Sequence, residues 1–417
     1  MKISDTPTAI PLRRRRALDV LPGALNRVNA RLQLRCFATI CFTAAATLGQ
    51  VVGPTGDGSV IVPTGHSIQP AGKAVEFEGR PVDIALSPDG KTLYGKDHRG
   101  LFVVDTATWT LMQELPFAND TGGSMHGIAV STDGGRVYAT TAQNLLWEAK
   151  VGPDRRLTLE RAIALPGPES EDSASHGTGI ALSELRPLAL VCLSRNNSLA
   201  LVNLNDGRKE EEILVGVAPY DVVIDPHGLT VYVSNWGGRF PTAGDRTAES
   251  SGTPTVIDER GVAATGSISI VDLAARKEVR QIAVGLHPSD LALTKDGKFL
   301  YVACANSDEV CVIDTAVHEV IESFSVRPNA ALPFGSLPNA IALGPREDRL
   351  YVANGGNNAV AVVDVAPERR RASVVRGFIP AGWFPAALTA DADRLYVANA
   401  KGIGSRSKHA GRWTRTG

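Results

Sequence analysis

Short apolar runs alternate with polar or small residues at period two. Gly-, Pro- and Asp-bearing turns separate them, which is the pattern of half-buried β-strands. Helical periodicity is weak throughout. Two stretches, LYVACANSDEVCVIDT (300–315) and LYVANGGNNAVAVVDV (350–365), align without a gap at an offset of 50. Each follows a Pro-led apolar run, PSDLAL at 288 and PNAIAL at 338. Related runs are PVDIAL at 81, MHGIAV at 125, GTGIAL at 177, PYDVVI at 219 and a degenerate PAALTA at 385. Their anchor residues are Ile84, Ile128, Ile180, Val222, Leu291, Ile341 and Leu388, spaced 44, 52, 42, 69, 50 and 47 apart. Six of the seven Tyr (Tyr94, Tyr138, Tyr232, Tyr301, Tyr351, Tyr396) share one repeat position, and Leu190 takes it in the third unit.

Each unit reads as four strands. Strand A is the Pro-led run, and a turn such as SPDG (87–90) or TKDG (294–297) follows it. Strand B is the L-Y-V-A run. Strand C alternates and ends at an Asp, and strand D is more polar. Four short strands in a unit of about 45 residues is the size of a propeller blade. The chain is therefore expected to be all-β, a seven-bladed β-propeller over residues 50–404. The seventh unit stops after LYVAN (395–399), and SVIVPT (59–64) and KAVEFE (73–78) supply its expected strands C and D. The last blade would then be closed by N-terminal strands, which removes an open sheet edge.

Composition agrees. With 41 Gly and 25 Pro in 417 residues, 43% apolar and 21% charged, disordered, collagen-like, coiled-coil and polytopic membrane classes are excluded. The formal charge is -1. Residues 1–35 carry +6 and residues 401–417 carry +5, so the body between them carries about -12. An acidic body argues against nucleic acid as a partner. The 13-residue uncharged run 36–48 follows the basic stretch and ends near Ala44, Ala45 and Ala46. Residues 1–49 thus read as a secretory signal peptide with a long basic n-region. This predicts an exported, periplasmic or extracellular chain without a membrane span after cleavage. Residues 405–417 read as a basic unstructured tail. Cys192, Cys304 and Cys311 remain after cleavage and form no disulfide framework. Cys304 and Cys311 lie on two arms of one hairpin, where a bridge is conceivable and plain packing the simpler reading.

The YVAN, YVSN and VVD strings, with G-x-x-P before strand A, resemble the YVTN β-propeller repeat family (YncE-like proteins) over residues 58–404. The strings NWGGRFPTAGDRTAESSGTP (235–254), VRPNAALPFGSLPNAIAL (326–343), GFIPAGWFP (377–385) and VANAKGIGS (397–405) are most similar to a bacterial subgroup. In that subgroup the propeller precedes an alkaline-phosphatase-like phosphoesterase domain. No such domain follows in the 417 residues, so the resemblance carries phosphatase activity to no residue here.

Strand alternation puts the B–C loops and the D-to-A crossings on one face. The fourth unit carries an insertion there, 236–266, about 27 residues longer than its counterparts. Trp236 and Phe240 near its start read as an exposed aromatic pair. The crossings place Arg80, Asp83, His126, His176, Tyr220, Asp221, His287, Asp290, Asn339 and Trp383 around the channel mouth, joined by Trp236 as ligand-binding candidates. Asp83, Asp221 and Asp290 with Asn339 offer oxygen ligands for a divalent cation, or they bond backbone amides at strand starts. No cofactor is otherwise expected. His126, His176 and His287 suit metal ligation or acid–base work, or surface hydrogen bonds. P-loop, G-x-S-x-G and H-E-x-x-H motifs are absent. Three functions fit. The first is a monomeric, non-catalytic propeller that binds a protein partner or small molecule. The second is a lactonase-type hydrolase acting on sugar lactones, which needs a convergent His/Arg/Asp or metal cluster in the mouth, where the candidates look scattered among blades. The third is a docking or regulatory module of a separate or lost phosphoesterase.

Overall fold

The computed structural model describes residues 52–118, 121–366 and 371–402. The expected signal peptide and basic tail lie outside the described residues. Seven small sheets stand around one axis. Their inner strands are Asp83–Leu86, Gly123–Val130, Gly177–Leu182, Val217–Ile224, Pro288–Leu293, Pro338–Leu343 and Pro385–Ala390. Each inner strand touches the next, and the seventh touches the first, so the ring closes. Blades 1 to 6 are four-stranded antiparallel meanders in the order A-B-C-D, the topology the repeats predict. All seven anchors lie in strand A, opposite strand B, as in Ile341↔Val352 and Leu388↔Val397.

Strands B and C are apolar on both faces because each blade is sandwiched between two others. Phe299–Cys304 is buried at every position, whereas the outer strand Glu319–Ser325 has no buried residue. The core is thus a series of layers between consecutive blades. One such layer joins Tyr301, Val310 and Val312 of blade 5 to Ile341, Leu350 and Val363 of blade 6. The Asp that ends strand C fixes the following turn. Asp105 Oδ1 accepts the N–H groups of Ala107 at 2.9 Å and Thr108 at 2.7 Å. Cys304 and Cys311 are buried free thiols with sulfurs 3.7 Å apart. Among the described residues no helix is long and apolar enough to cross a membrane.

Closure takes a different form from the expected strand pairing. Blade 7 has two strands, Pro385–Ala390 and Leu395–Asn399. Residues 60–61 belong to a separate three-stranded sheet with 53–54 and 67–68. Residues 73–78 form no ladder. They act through side chains instead. Val75 and Phe77 pack in the seam between blades 1 and 7, against a cluster that includes Phe102, Ala387 and Tyr396. The Phe77 and Phe102 rings are 4.6 Å apart. The Lys73 carbonyl accepts the Trp109 indole N–H at 3.0 Å, and the Ala71 N–H reaches the Pro380 carbonyl at 3.0 Å. The period-two pattern of KAVEFE therefore reports which side chains face inward, and not a hydrogen-bonded strand.

Phe77→Ala is expected to cost about 2–3 kcal/mol, because it empties the closing seam. Urea denaturation checks this. An unchanged midpoint would show that the seam does not hold the ring shut.

Candidate functional site

The site grows from an irregularity repeated in strand A. In blades 3 to 7 the A–B register slips just after the residue three before the anchor. Such bulges turn side chains away from the ladder. One residue earlier, His176, Ala218, His287, Leu337 and Phe384 all have φ between 50° and 60°. Side chains other than Gly rarely adopt this conformation, so each crossing holds strain of order 1–3 kcal/mol. The bulge aims the next two residues at the channel.

Asp221 and Asp290 are two of those residues, Asp83 holds the same place before the anchor in blade 1 without a slip, and each of the three bonds the adjoining blade. Asp83 Oδ2 accepts the N–H groups of Gly127 at 2.7 Å and Ile128 at 3.0 Å in blade 2. Asp221 Oδ2 accepts the Leu291 N–H at 2.9 Å in blade 5. Asp290 Oδ2 accepts the Ile341 N–H at 2.8 Å in blade 6. Amide bonding at strand starts, one of the two readings of these residues, is thus what the structure contains.

The cluster looked scattered in sequence, yet it converges in space. His126 Nδ1 lies 3.2 Å from Asp83 Oδ2, and Nε2 lies 3.1 Å from Asp221 Oδ1. His126 comes from blade 2 and Asp221 from blade 4. Blade 3 allows this approach because it presents Gly179, where a Cβ would stand 2.6 Å from Asp221 Oδ1. Burial alone would lower the His126 pKa. The charges of Asp83 and Asp221 outweigh it and push the group up to about 10, so it is an imidazolium. Burial, then the charge of Asp221, raises Asp290 well above the carboxylate range. A cavity of about 210 Å³ lies beside these groups and is lined by residues of all seven blades.

Four rings extend the cluster across the face. His126 stacks on Tyr220 at 4.9 Å, Tyr220 on Trp236 at 4.2 Å, and Trp236 meets His287 at 4.1 Å. Trp236 is therefore an inner member of a stack and not half of an exposed pair, while Phe240 is 37% exposed. The Trp236 indole N–H is buried and has no partner among the described residues. Burial pushes the His287 pKa down to about 4, so this ring is neutral. The insertion is ordered. It forms a hairpin, Thr247–Ser250 with Thr253–Val256, and Thr253 Oγ1 accepts from Asn197 Nδ2 of blade 3 at 2.9 Å.

The remaining predicted residues divide. Asn339 is half-buried with an unpartnered Oδ1, and Trp383 lies 5.6 Å from the Lys401 ammonium. Arg80 and His176 are exposed and stand outside the cluster. Sequence reasoning missed Lys96, which is fully buried. Its ammonium donates to Ser124 Oγ at 2.9 Å, to Thr140 Oγ1 at 3.0 Å and to the carbonyls of Gly127 and Thr140, both at 3.1 Å, as well as to the His126 carbonyl. It ties blade 1 to blade 2. Burial pushes its pKa down to about 7, against the charge of Asp83. The signal was present in sequence: LYGKD puts Lys where other units put Ala303, Ala353 and Ala398.

Fold and site together define a seven-bladed β-propeller with a charged, ring-walled mouth. Two solved structures share the fold. The Kuenenia stuttgartiensis hydrazine synthase chain aligns at TM-score 0.60 and 19% identity, over 79% of this chain and 96% of that one. The structure of U3-55K aligns at TM-score 0.59 and 11% identity, over 84% of this chain and 94% of that one. At such identities the likeness concerns the fold alone. No protein-family model and no curated protein matches the sequence.

Lys96→Met keeps the stem and removes the ammonium, leaving buried carbonyls unanswered, and is expected to cost about 3 kcal/mol. Chemical denaturation measures it, and a loss near zero would remove Lys96 from the joint between blades 1 and 2. His287 gives a pH prediction. Its folded pKa, about 4, lies below the ordinary imidazole value of 6.5. Unfolding therefore takes up a proton between these values, and this contribution to stability is present above pH 6.5 and lost as pH falls toward 4. His287→Phe is expected to flatten that part of the stability–pH curve. Superimposable curves would show that His287 titrates normally.

Proposed function

We propose that this chain is a non-catalytic binding propeller of YVTN type, exported from the cell, whose mouth takes a small ligand rich in hydrogen-bond donors. The observation that carries the reading is a surplus of acceptors on one face. The side-chain oxygens of Asn196, Asn235, Asn339, Asn354, Asn357 and Asn399 are buried without partners among the described residues. They sit at the ends of strand B, in B–C loops and in a crossing, all on the face that bears the ring stack. A buried polar atom left unanswered costs about 1–3 kcal/mol, and a ligand bringing O–H or N–H donors gains where a half-buried Asn such as Asn339 turns to meet it, whereas Asn235 and Asn354 are fully enclosed. A polyol or an amine has that chemistry, and the aromatic rings offer a flat apolar wall.

The repeat strings support the YVTN assignment, and the basic segment followed by an apolar run supports export. A non-catalytic role follows from how the charged groups are engaged. Both His126 nitrogens face carboxylates, and Asp83, Asp221 and Asp290 each hold backbone amides, so these groups are engaged in joining blades. A protein partner is the second reading, favoured by Phe334 at 59% and Leu332 at 43% exposure in the crossing before blade 6.

A thermal-shift panel of polyols, amines, sugar lactones and phosphorylated metabolites tests the first reading. A polyol or amine is expected to raise Tm by several degrees and to perturb tryptophan fluorescence, and Trp236→Phe should abolish the fluorescence change. No shift with either class, or turnover of a lactone, would overturn it.

A further inference from the structure

We propose that the channel mouth also holds a divalent transition-metal ion, which displaces the Nε2 proton of the His126 imidazolium to solvent and is ligated by His126 Nε2, Asp221 and Asp290, with Asp83 orienting the imidazole. The three residues present ligand atoms that all lie within 4.8 Å of one another. Metal–ligand distances of about 2.0–2.2 Å put neighbouring donor atoms roughly 3 Å apart. His126 Nε2 and Asp221 Oδ1 already stand at 3.1 Å. The other ring nitrogen faces Asp83 Oδ2 at 3.2 Å, the arrangement by which a carboxylate fixes the tautomer and angle of a ligating imidazole.

The carboxylates are held in advance. Asp221 uses Oδ2 for the Leu291 amide, and its Oδ1 points to His126. Asp290 bonds the amides of Leu291 and Ile341, one through each oxygen, and each oxygen keeps a second lone pair. Backbone amides from blades 5 and 6 thus position ligands for an ion between blades 2, 4 and 5.

Tyr220 is a second, independent pointer. It is 8% exposed, its ring stacks on His126, and its hydroxyl makes no hydrogen bond to a described residue. The charges that act on that hydroxyl are those of Asp83, Asp290 and Asp221. An unbonded phenol beside three carboxylates has a role if an ion, or water bound to it, stands among them. The cavity of about 210 Å³ leaves room for such water. One imidazole with two carboxylates suits Zn²⁺, Mn²⁺ or Co²⁺ better than Ca²⁺ or Mg²⁺, which favour all-oxygen cages. This site goes beyond the ligand reading and needs no organic ligand, so it is tested without one.

The experiment is equilibrium dialysis of the metal-stripped full chain against micromolar Zn²⁺, followed by elemental analysis. About one Zn²⁺ per chain is expected. Asp290→Asn, which still offers an amide acceptor, should weaken binding at least ~10-fold, and Asp83→Asn should weaken it by ~10–100-fold through lost orientation. Circular dichroism confirms that each variant is folded. On the wild-type chain, Zn²⁺ should shift the ring resonances of His126 in the NMR spectrum and leave those of the exposed His176 in place. Far less than one equivalent bound, unchanged affinity in a folded Asp290→Asn chain, or an unmoved His126 resonance would each overturn the proposal.

Discussion

Seven strands that begin around one axis leave their inner edges without a neighbouring strand, and the structure is organised around that deficit. Each inner edge carries amide groups that face a narrow channel. An unpaired buried amide costs about as much as a lost hydrogen bond. In blades 1, 4 and 5 the answer is a carboxylate placed one residue before the anchor. Asp83 serves Ile84 in its own blade and Ile128 in the next, and Asp290 serves Leu291 and Ile341 in the same way. One side chain thus completes two strand edges and joins two blades.

That solution creates the next problem. Three carboxylates near one axis repel one another, and the body of the chain is already acidic. Two cations offset the repulsion by different means. His126 crosses from blade 2 toward Asp221, while Lys96 stands between blades 1 and 2 and faces only oxygen acceptors. Asp290, beside Asp221, is held toward its protonated form. The arrangement is costly to disturb. A buried charge that loses its partner typically destabilises by ~3–5 kcal/mol, whereas an apolar replacement of the whole set is often tolerated.

The repeat was legible because blade packing imposes it locally. Strands B and C lie between two blades, so their apolar, small and Tyr positions recur wherever a blade occurs, and all seven anchors could be placed. The mouth residues were legible as positions, since strand alternation assigns them to one face. Their partnerships were not. The contact between His126 and Asp221 spans blade 3 and depends on Gly179, which carries no chemistry of its own. Lys96 occupies an Ala position of the repeat, and a departure from a repeat tells only that something differs. The N-terminal closure misled because a period-two pattern reports which side chains face inward. Val75 and Phe77 do face inward, but no ladder accompanies them.

Whether the mouth cluster serves closure alone can be argued from the ring itself. Blades 6 and 7 put Ala340 and Ala387 where blades 1, 4 and 5 put Asp, and their inner strands still take their places in the closed ring. Blades 2 and 3 put Gly127 and Gly179 there. Carboxylates at every inner edge are therefore not a condition of the fold. Where they do occur, they reach in from blades 1, 4 and 5 and meet His126 and the ring stack at one end of the channel. Closure by itself would distribute charge with the symmetry of the blades. An asymmetric set of charges, rings and unpartnered oxygens at one end is what a recognition site requires of a symmetric scaffold.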